Sequence, residues 1–168
     1  RAVYYATLLA MAESLRFGIV SSSDMYYFCD DMVRAVEESG AKANISRSIT
    51  SFAEGSVKNN DSYREAEALI RDVHGAADGR ILADASIHAE YTNTVTSMAE
   101  VADLAKKYGV NMHVHISETK QEHEECKARH GGKTPAHLLE SLGAFDTPAT
   151  AAHCVWAEED DMEIFRKK

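Results

Sequence analysis

Apolar and polar positions along the chain follow two periods, one typical of helices and one typical of strands. Apolar residues three and four positions apart, such as Tyr63, Ala66 and Ile70, predict helices. Short apolar runs bounded by Gly or Ser predict strands between them. The predicted helices cover residues 1–17, 30–38, 61–74, 93–108, 120–130 and 135–142, with a last one from residue 158 onward. The predicted strands cover residues 19–24, 41–48, 80–87 and 148–153, and a further one carries His113.

Strand and helix therefore alternate five times. This alternation is the mark of parallel βαβ units, in which helices cover a buried sheet. Right-handed crossovers leave two main arrangements, an open doubly wound sheet or part of a (β/α)8 barrel. A dinucleotide-binding open sheet would need a GxGxxG loop after a strand, and neither this motif nor a Walker A motif occurs in the sequence.

Ionisable residues stand at or just past the ends of the predicted strands. They are Asp24, Arg47, His88, His115 with Glu118, and His153. In a barrel, the carboxyl ends of the strands carry the catalytic groups. We therefore predict one α/β domain over residues 1–168, built as a partial TIM-like barrel of about five parallel strands. Asp24 is also open to a structural role in its loop.

The stretch His113–Glu118 holds the most specific chemistry. Alternate residues of a strand share a face, so His113, His115 and Ser117 are predicted to point the same way. Two imidazoles on one face fit a metal site, with Glu118 at the rim as a proton-transfer acid. They fit equally a histidine pair whose hydrogen bonds are satisfied in a polar corner of the core.

Composition narrows the class of protein. A net charge of -9 argues against a nucleic-acid or anionic-membrane surface, since both attract clustered Lys and Arg. The three cysteines show no CxxC spacing, which favours a reducing, cytoplasmic setting. No apolar run approaches the roughly 18 residues of a membrane span. The sequence starts and stops within predicted helices, so we expect it to be a piece of a longer protein.

Four ordered segments carry a family resemblance. Residues 109–122 (GVNMHVHISETKQE) resemble the fifth-strand motif of the metal-dependent amidohydrolase superfamily. Residues 10–26 resemble its second-strand region, residues 86–92 (SIHAEYT) its fourth-strand motif PHAPYT, and residues 150–156 (TAAHCVW) its sixth-strand motif AHC. Within the superfamily, the sequence is most similar to the branch of 5-methylthioadenosine/S-adenosylhomocysteine deaminases, with chlorohydrolases and guanine deaminases as relatives.

The resemblance implies roles for three residues around the fifth and sixth strands. His115 matches a metal ligand. Glu118 matches the acid that contacts the substrate ring and shuttles protons. His153 matches a histidine that orients the water or the leaving group. His113 has no assigned role and is expected to lie behind His115.

Two further residues match substrate contacts. His88 matches a substrate-contacting histidine, and Arg47 resembles an arginine that holds a polar substrate tail. Arg47 could equally form an ion pair with Asp24 or Glu54. The sequence departs from the motif at Ile87 and Glu90, where two prolines are expected, so the loop around His88 is expected to differ in shape.

The resemblance also shows what the sequence lacks. The first-strand HxH and the eighth-strand Asp have no match, so the chain corresponds to strands two to six of eight. For the complete protein the resemblance implies one zinc or iron ion, held by three His and one Asp, and hydrolytic deamination of an aminopurine nucleoside. We expect the isolated chain to bind metal weakly or not at all and to be inactive.

Other functions remain open at this point. A chlorohydrolase or a guanine- or cytosine-type aminohydrolase shares the same motifs. A non-catalytic α/β module completed by a partner chain is the alternative of another class. Because a partial barrel leaves strand edges open, self-association through those edges is also expected.

The remaining polar residues are predicted to be structural. His74, His123, His130 and His137 are expected at the surface, and the acidic run Glu122–Glu125 is expected to be a solvated helix face. Cys154 lies beside His153, but adjacent strand residues face opposite ways, which favours a packing role for the thiol.

Overall fold

A computed structural model describes all of residues 1–168. Eight helices and five strands alternate along the chain. The helices are α1 (Ala2–Arg16), α2 (Cys29–Ser39), α3 (Asp61–Val73), the single turn α4 (Ala76–Gly79), α5 (Val95–Tyr108), α6 (Lys120–Arg129), α7 (Pro135–Ser141) and α8 (Glu159–Lys167). The strands are β1 (Ser21–Tyr26), β2 (Lys42–Arg47), β3 (Ile81–Ala89), β4 (Met112–Ile116) and β5 (Ala149–His153). Short 3₁₀ helices cover Val57–Asn59 and Glu90–Thr92.

The five strands form one parallel sheet in the order β1-β2-β3-β4-β5. A doubly wound sheet would reverse its strand order partway across, whereas a barrel adds each strand beside the previous one. The prediction of five parallel strands arranged as part of a barrel is therefore confirmed.

The sheet is strongly curled. The hydroxyl of Ser46 on β2 lies 3.1 Å from Nδ1 of His113 on β4, although β3 runs between these strands. In a flat sheet alternate strands are almost 10 Å apart, so their side chains meet in this way only on a concave face. That concave face corresponds to the interior of a barrel.

The two faces of the sheet differ in chemistry. The convex face packs under the helices through fully buried apolar side chains, namely Ile45, Ala83, Ala85, Ile87, Met112, Val114 and Ile116. The concave face carries polar side chains, including Asn44, Ser46, Asp84, Ser86 and His113. The inward and outward alternation of each strand thus places its polar residues in the barrel interior.

Helix ends at the site follow ordinary capping chemistry. The Thr94 hydroxyl accepts a hydrogen bond from the Ser97 amide at 3.1 Å and caps the start of α5. Thr119 and Glu122 form a capping box at the start of α6, directly after the end of β4. Gly109 ends α5 at φ 64°, a conformation that glycine adopts without strain.

The first strand begins later than predicted. It spans Ser21–Tyr26 rather than residues 19–24, so Asp24 lies within the strand and not at its end. Strands β1 and β5 form the two edges of the sheet. None of the helices is both long and apolar enough to cross a membrane.

Candidate metal and catalytic site

Three histidine rings and one carboxylate meet at the carboxyl ends of β3, β4 and β5. The ring of His115 lies between the other two, with its centroid 5.0 Å from that of His88 and 5.1 Å from that of His153. Nε2 of His153 lies 3.6 Å from Oε1 of Glu118. The structure thus brings together four of the five residues to which the family resemblance gives a role, and Arg47 is the fifth.

His153 reaches this cluster because of an unusual backbone conformation. Its register partner on β4 is Ile116, whose side chain is buried on the convex face, so an extended His153 would point toward the helices. Instead, His153 has φ 73° and Cys154 has φ 53°. Positive φ is uncommon for residues other than glycine and marks a locally constrained backbone. This turn directs the imidazole toward His115.

His88 is placed by a bulge in β3. The register between β3 and β4 shifts between Ser86 and Ala89. Within this irregular stretch, Nδ1 of His88 lies 3.2 Å from the Thr92 hydroxyl, and the His88 and Tyr91 rings pack edge to face with centroids 5.8 Å apart. Irregularities of this kind re-aim side chains next to active sites.

The electrostatics of the cluster keep His115 neutral. Burial, followed by the neighbouring His88 and His153, lowers the pKa of His115. Its Nδ1 atom is buried and has no hydrogen-bond partner. A neutral imidazole with a free ring nitrogen is what a transition-metal ion requires of a ligand. His115 therefore fits a metal ligand, although a structural or catalytic zinc needs at least two more from the protein.

His113 lies one layer deeper. Its pKa is lowered to about 4, first by burial and then by His115. Nδ1 faces the buried hydroxyl of Ser46. This position agrees with the expectation that His113 lies behind His115.

Glu118 projects from the turn after β4. Its side chain is 44% exposed, because the barrel rim surrounds it on one side only. Its backbone amide donates to Oε2 of Glu122 at 2.8 Å, so the capping carboxylate of α6 fixes the turn. The Glu118 carboxylate is therefore accessible to a molecule bound above the three rings.

Arg47 lies outside the cluster. Its neighbour Ser46 faces the concave side, so Arg47 faces the helices, where Nε donates to Glu65 at 2.6 Å. The guanidinium also stacks over Tyr27 at 4.9 Å and donates to the Ser48 carbonyl. Arg47, Glu65 and Tyr27 line a crevice of about 780 Å³ between α2 and α3. The structure does not bring Arg47 to the histidines, and its partner is neither Asp24 nor Glu54.

Two expectations about polar residues are wrong. His123 is buried, and Glu122 is 5% exposed rather than part of a solvated face. Glu122 is buried because its two carboxylate oxygens accept the amides of Ser117, Glu118 and Thr119. The spacing Thr119-x-x-Glu122 is a capping-box signature, and this signal could have predicted the inward-facing carboxylate. No comparable signal in the sequence identifies His123.

A second buried network lies below the His88 loop. The carboxylate of Glu90, only 2% exposed, accepts from Arg129 at 2.6 Å and lies 2.8 Å from Nε2 of His130. With Cys126, Glu90 and His130 form a set of metal-ligating groups within 4.8 Å of one another. The adjacent guanidinium already neutralises the carboxylate and repels a cation, so this set is better described as an ion-pair network.

The whole chain matches a known protein family. The amidohydrolase family matches residues 1–168. The chain is 39% identical over 165 residues to 5-methylthioadenosine/S-adenosylhomocysteine deaminase of Caldanaerobacter subterraneus subsp. tengcongensis, covering 98% of the chain and 38% of that relative. It is 37% identical over 166 residues to 5'-deoxyadenosine deaminase of Methanosarcina mazei, covering 99% of the chain and 38% of that relative.

A solved structure extends the likeness to the fold. An adenosine deaminase from Xanthomonas campestris with bound zinc superimposes with a TM-score of 0.86 at 26% identity, covering 98% of this chain and 37% of that one. The chain therefore spans less than two fifths of the length of the relatives it matches. From the match over its full length, the chain belongs to the amidohydrolase family.

Proposed function

We propose that this segment is the central part of a metal-dependent hydrolase, and that the complete protein deaminates an aminopurine nucleoside of the methylthioadenosine or adenosylhomocysteine type. The observation that carries the proposal is the convergence of His88, His115, His153 and Glu118 at one rim of the sheet. The names of the similar deaminases support the choice of substrate class. The zinc in the Xanthomonas structure supports a metal cofactor.

Each residue of the cluster takes one role. His115 would hold the metal ion through a neutral ring nitrogen. A zinc or iron ion bound there would supply a nucleophilic water near neutral pH. Glu118 delivers a proton to a ring nitrogen of the purine as water adds to the amino-bearing carbon, and His153 steadies the tetrahedral centre before ammonia leaves. His88, with the ring of Tyr91 against it, contacts the purine.

The isolated segment is proposed to be inactive. It offers His115 as a ligand, whereas a stable site needs three or four. Metal analysis of purified residues 1–168 should find far less than one zinc or iron per chain, together with no deaminase turnover. A stoichiometric metal ion with measurable turnover would falsify this part of the proposal.

Self-association is proposed for the same segment. Strands β1 and β5 leave their outer hydrogen-bonding edges unpaired, and Leu82 on the concave face is 39% exposed. Unpaired edges template pairing with another chain. Sedimentation velocity over a range of concentrations should show dimers or larger species, and a monomer at every concentration would contradict the idea.

The test of the activity uses the complete protein loaded with zinc or iron. Ammonia release is measured with methylthioadenosine, adenosylhomocysteine, 5'-deoxyadenosine and guanine as substrates, and chloride release is measured with a chlorotriazine. The proposal expects the three adenosine derivatives to react faster than the other two. Preference for guanine or the chlorotriazine would assign the protein to another branch. No reaction with any substrate, at full metal loading, would favour a non-catalytic module. His115→Ala should lower the bound metal in every case.

A further inference from the structure

We propose that buried Ser117 and His123, with Glu158 at the surface, form a hydrogen-bonded chain that positions Glu118 against His153. This inference rests on the proposed function, because it assigns residues that act through the catalytic pair. His123 is a positioning residue here, since it touches neither of those two side chains.

Ser117 directly precedes Glu118, and its amide, carbonyl and hydroxyl each have a hydrogen-bond partner. Its amide donates to Oε1 of Glu122 at 3.1 Å, and its carbonyl accepts from the amide of Trp156 at 2.9 Å. Its hydroxyl lies 3.0 Å from Nδ1 of His123. Ser117 is fully buried and has φ 50°, so it turns out of the strand instead of continuing the face of His113 and His115. A residue in this conformation persists only where its surroundings hold it.

His123 links this turn to the start of α8. Its ring is 3% exposed, and Nε2 lies 3.0 Å from Oε1 of Glu158. Lys127 donates to the same oxygen at 2.7 Å. The hydrogen bonds from Lys127 and then from His123 lower the pKa of Glu158, so this carboxylate is ionised at neutral pH and can only accept.

The ionised acceptor orients the imidazole of His123. Because Glu158 accepts, Nε2 of His123 carries a hydrogen, and Nδ1 on the other side of the ring faces the Ser117 hydroxyl. The three side chains are therefore linked in sequence, from Ser117 through His123 to Glu158. The carboxylate holds the imidazole in one orientation behind the turn, as carboxylates do for histidines at many active sites.

The hydrogen-bonded chain connects the two polypeptide segments that carry Glu118 and His153. Glu118 follows β4, and His153 ends β5. The amide of Cys154 donates to the Ile116 carbonyl at 2.9 Å, and the amide of Trp156 donates to Ser117. The bond between His123 and Glu158 adds a third link between the same segments. Three of the five non-glycine residues with positive φ, Ser117, His153 and Cys154, lie at this junction.

Variants of the complete, metal-loaded enzyme test the proposal. Ser117→Ala and Glu158→Ala each remove one end of the chain, while Glu158→Gln keeps an oxygen that can accept from His123. We expect kcat to fall about tenfold in the two alanine variants, as for other residues that orient catalytic groups, with the metal retained. KM should stay within about twofold, and Glu158→Gln should recover most of the loss.

His137→Gln is the matched control. His137 lies 3.0 Å from Asp161 of the same helix α8, but its other partner is Thr134, far in sequence from Glu118. This control should keep wild-type kcat. Wild-type kcat in Ser117→Ala would overturn the inference, and so would an equal fall in Ser117→Ala and His137→Gln that tracks their thermal midpoints.

A structural readout separates this inference from the proposed function. If the wild-type enzyme deaminates no adenosine derivative, the proposed function fails, and crystal structures of wild type and Ser117→Ala then decide the inference. A Glu118 carboxylate displaced by about 1 Å or more from its place beside His153 supports it, since shifts of that size disable catalytic geometry. A carboxylate that stays within about 0.5 Å overturns it.

Discussion

Strands β3, β4 and β5 end in imidazoles that meet at one rim, whereas β1 and β2 carry ionisable residues that face the helices. His88 and His115 occupy concave positions, and His153 is turned inward by its backbone. Asp24 and Arg47 occupy convex positions, where they line cavities under α1 and beside α3. The same kind of sequence evidence, an ionisable residue near a strand end, thus has two different structural outcomes.

The difference follows from the two-residue period of a strand. A shift of one position moves a side chain from the barrel interior to the helical layer. Asn44 and Ser46 of β2 point to the concave face. Arg47, the residue after Ser46, therefore points to the convex face. His153 escapes this alternation through its positive φ.

Glu118→Gln offers the strongest test of the comparison. In the complete enzyme the amide can neither donate an acidic proton nor take one up, so kcat should fall about 10²- to 10⁴-fold with the metal retained. The matched change in the crevice of Arg47 is Glu65→Gln, which should leave kcat within about twofold. Steady-state kinetics with metal analysis measure both. An equal fall in kcat in the two variants would show that the rim and the crevice do not differ in their role in catalysis.

The fold was largely predictable, because periodicity and helix-ending glycines mark five βα units. The rim cluster was predictable because it rests on local motifs in which His88, His115, Glu118 and His153 are each close to a strand end. Arg47 was not, because a strand boundary uncertain by one or two residues leaves the facing direction undetermined. His123 contacts Glu158, which is 35 residues away, and no local pattern encodes such a contact.

Arg129→Met tests how strongly Arg129 stabilises the loop that carries His88 and Glu90. Glu90 follows His88 in that loop, and the substitution leaves its buried carboxylate with His130 as its remaining ion-pair partner. The expected cost is about 2 kcal/mol, less than for a fully buried pair because Arg129 is itself partly exposed. Urea denaturation measures it. Arg166→Met, which breaks an exposed pair with Glu163, should cost at most about 1 kcal/mol. Equal costs would show that Glu90 does not depend on Arg129.

Asp84→Asn examines the concave face below the rim. Burial raises the pKa of Asp84, so the folded state keeps a proton that the unfolded chain has already lost. Stability must then decrease as pH rises from the unfolded pKa near 4 through the higher folded value. The amide removes this decrease and can donate to Oδ1 of Asn44, which lacks a partner, so stability at pH 7 should rise by about 1 kcal/mol.

Denaturation midpoints between pH 4 and pH 8 measure this effect. Asp160→Asn is the control, since Asp160 is exposed on α8. The control should keep the wild-type dependence on pH. If the stability of Asp84→Asn fell with pH as steeply as that of the wild type, a charge at this position would not destabilise the barrel interior.

Arg47→Met has the smallest expected effect and addresses the comparison most directly. The geometry places the guanidinium between Glu65 and Tyr27, where its loss should cost less than about 1 kcal/mol of stability, as for a partly exposed ion pair with a cation–π contact. If Arg47 stabilises the crevice and does not contact the substrate, kcat/KM for methylthioadenosine and for adenosylhomocysteine should both stay within about twofold of wild type. If Arg47 holds a substrate tail, only adenosylhomocysteine, which has a carboxylate to bind, should lose affinity, by about tenfold or more. The ratio of the two kcat/KM values therefore decides the role of Arg47 even if the variant is slightly less stable, because a loss of folded enzyme lowers both values equally.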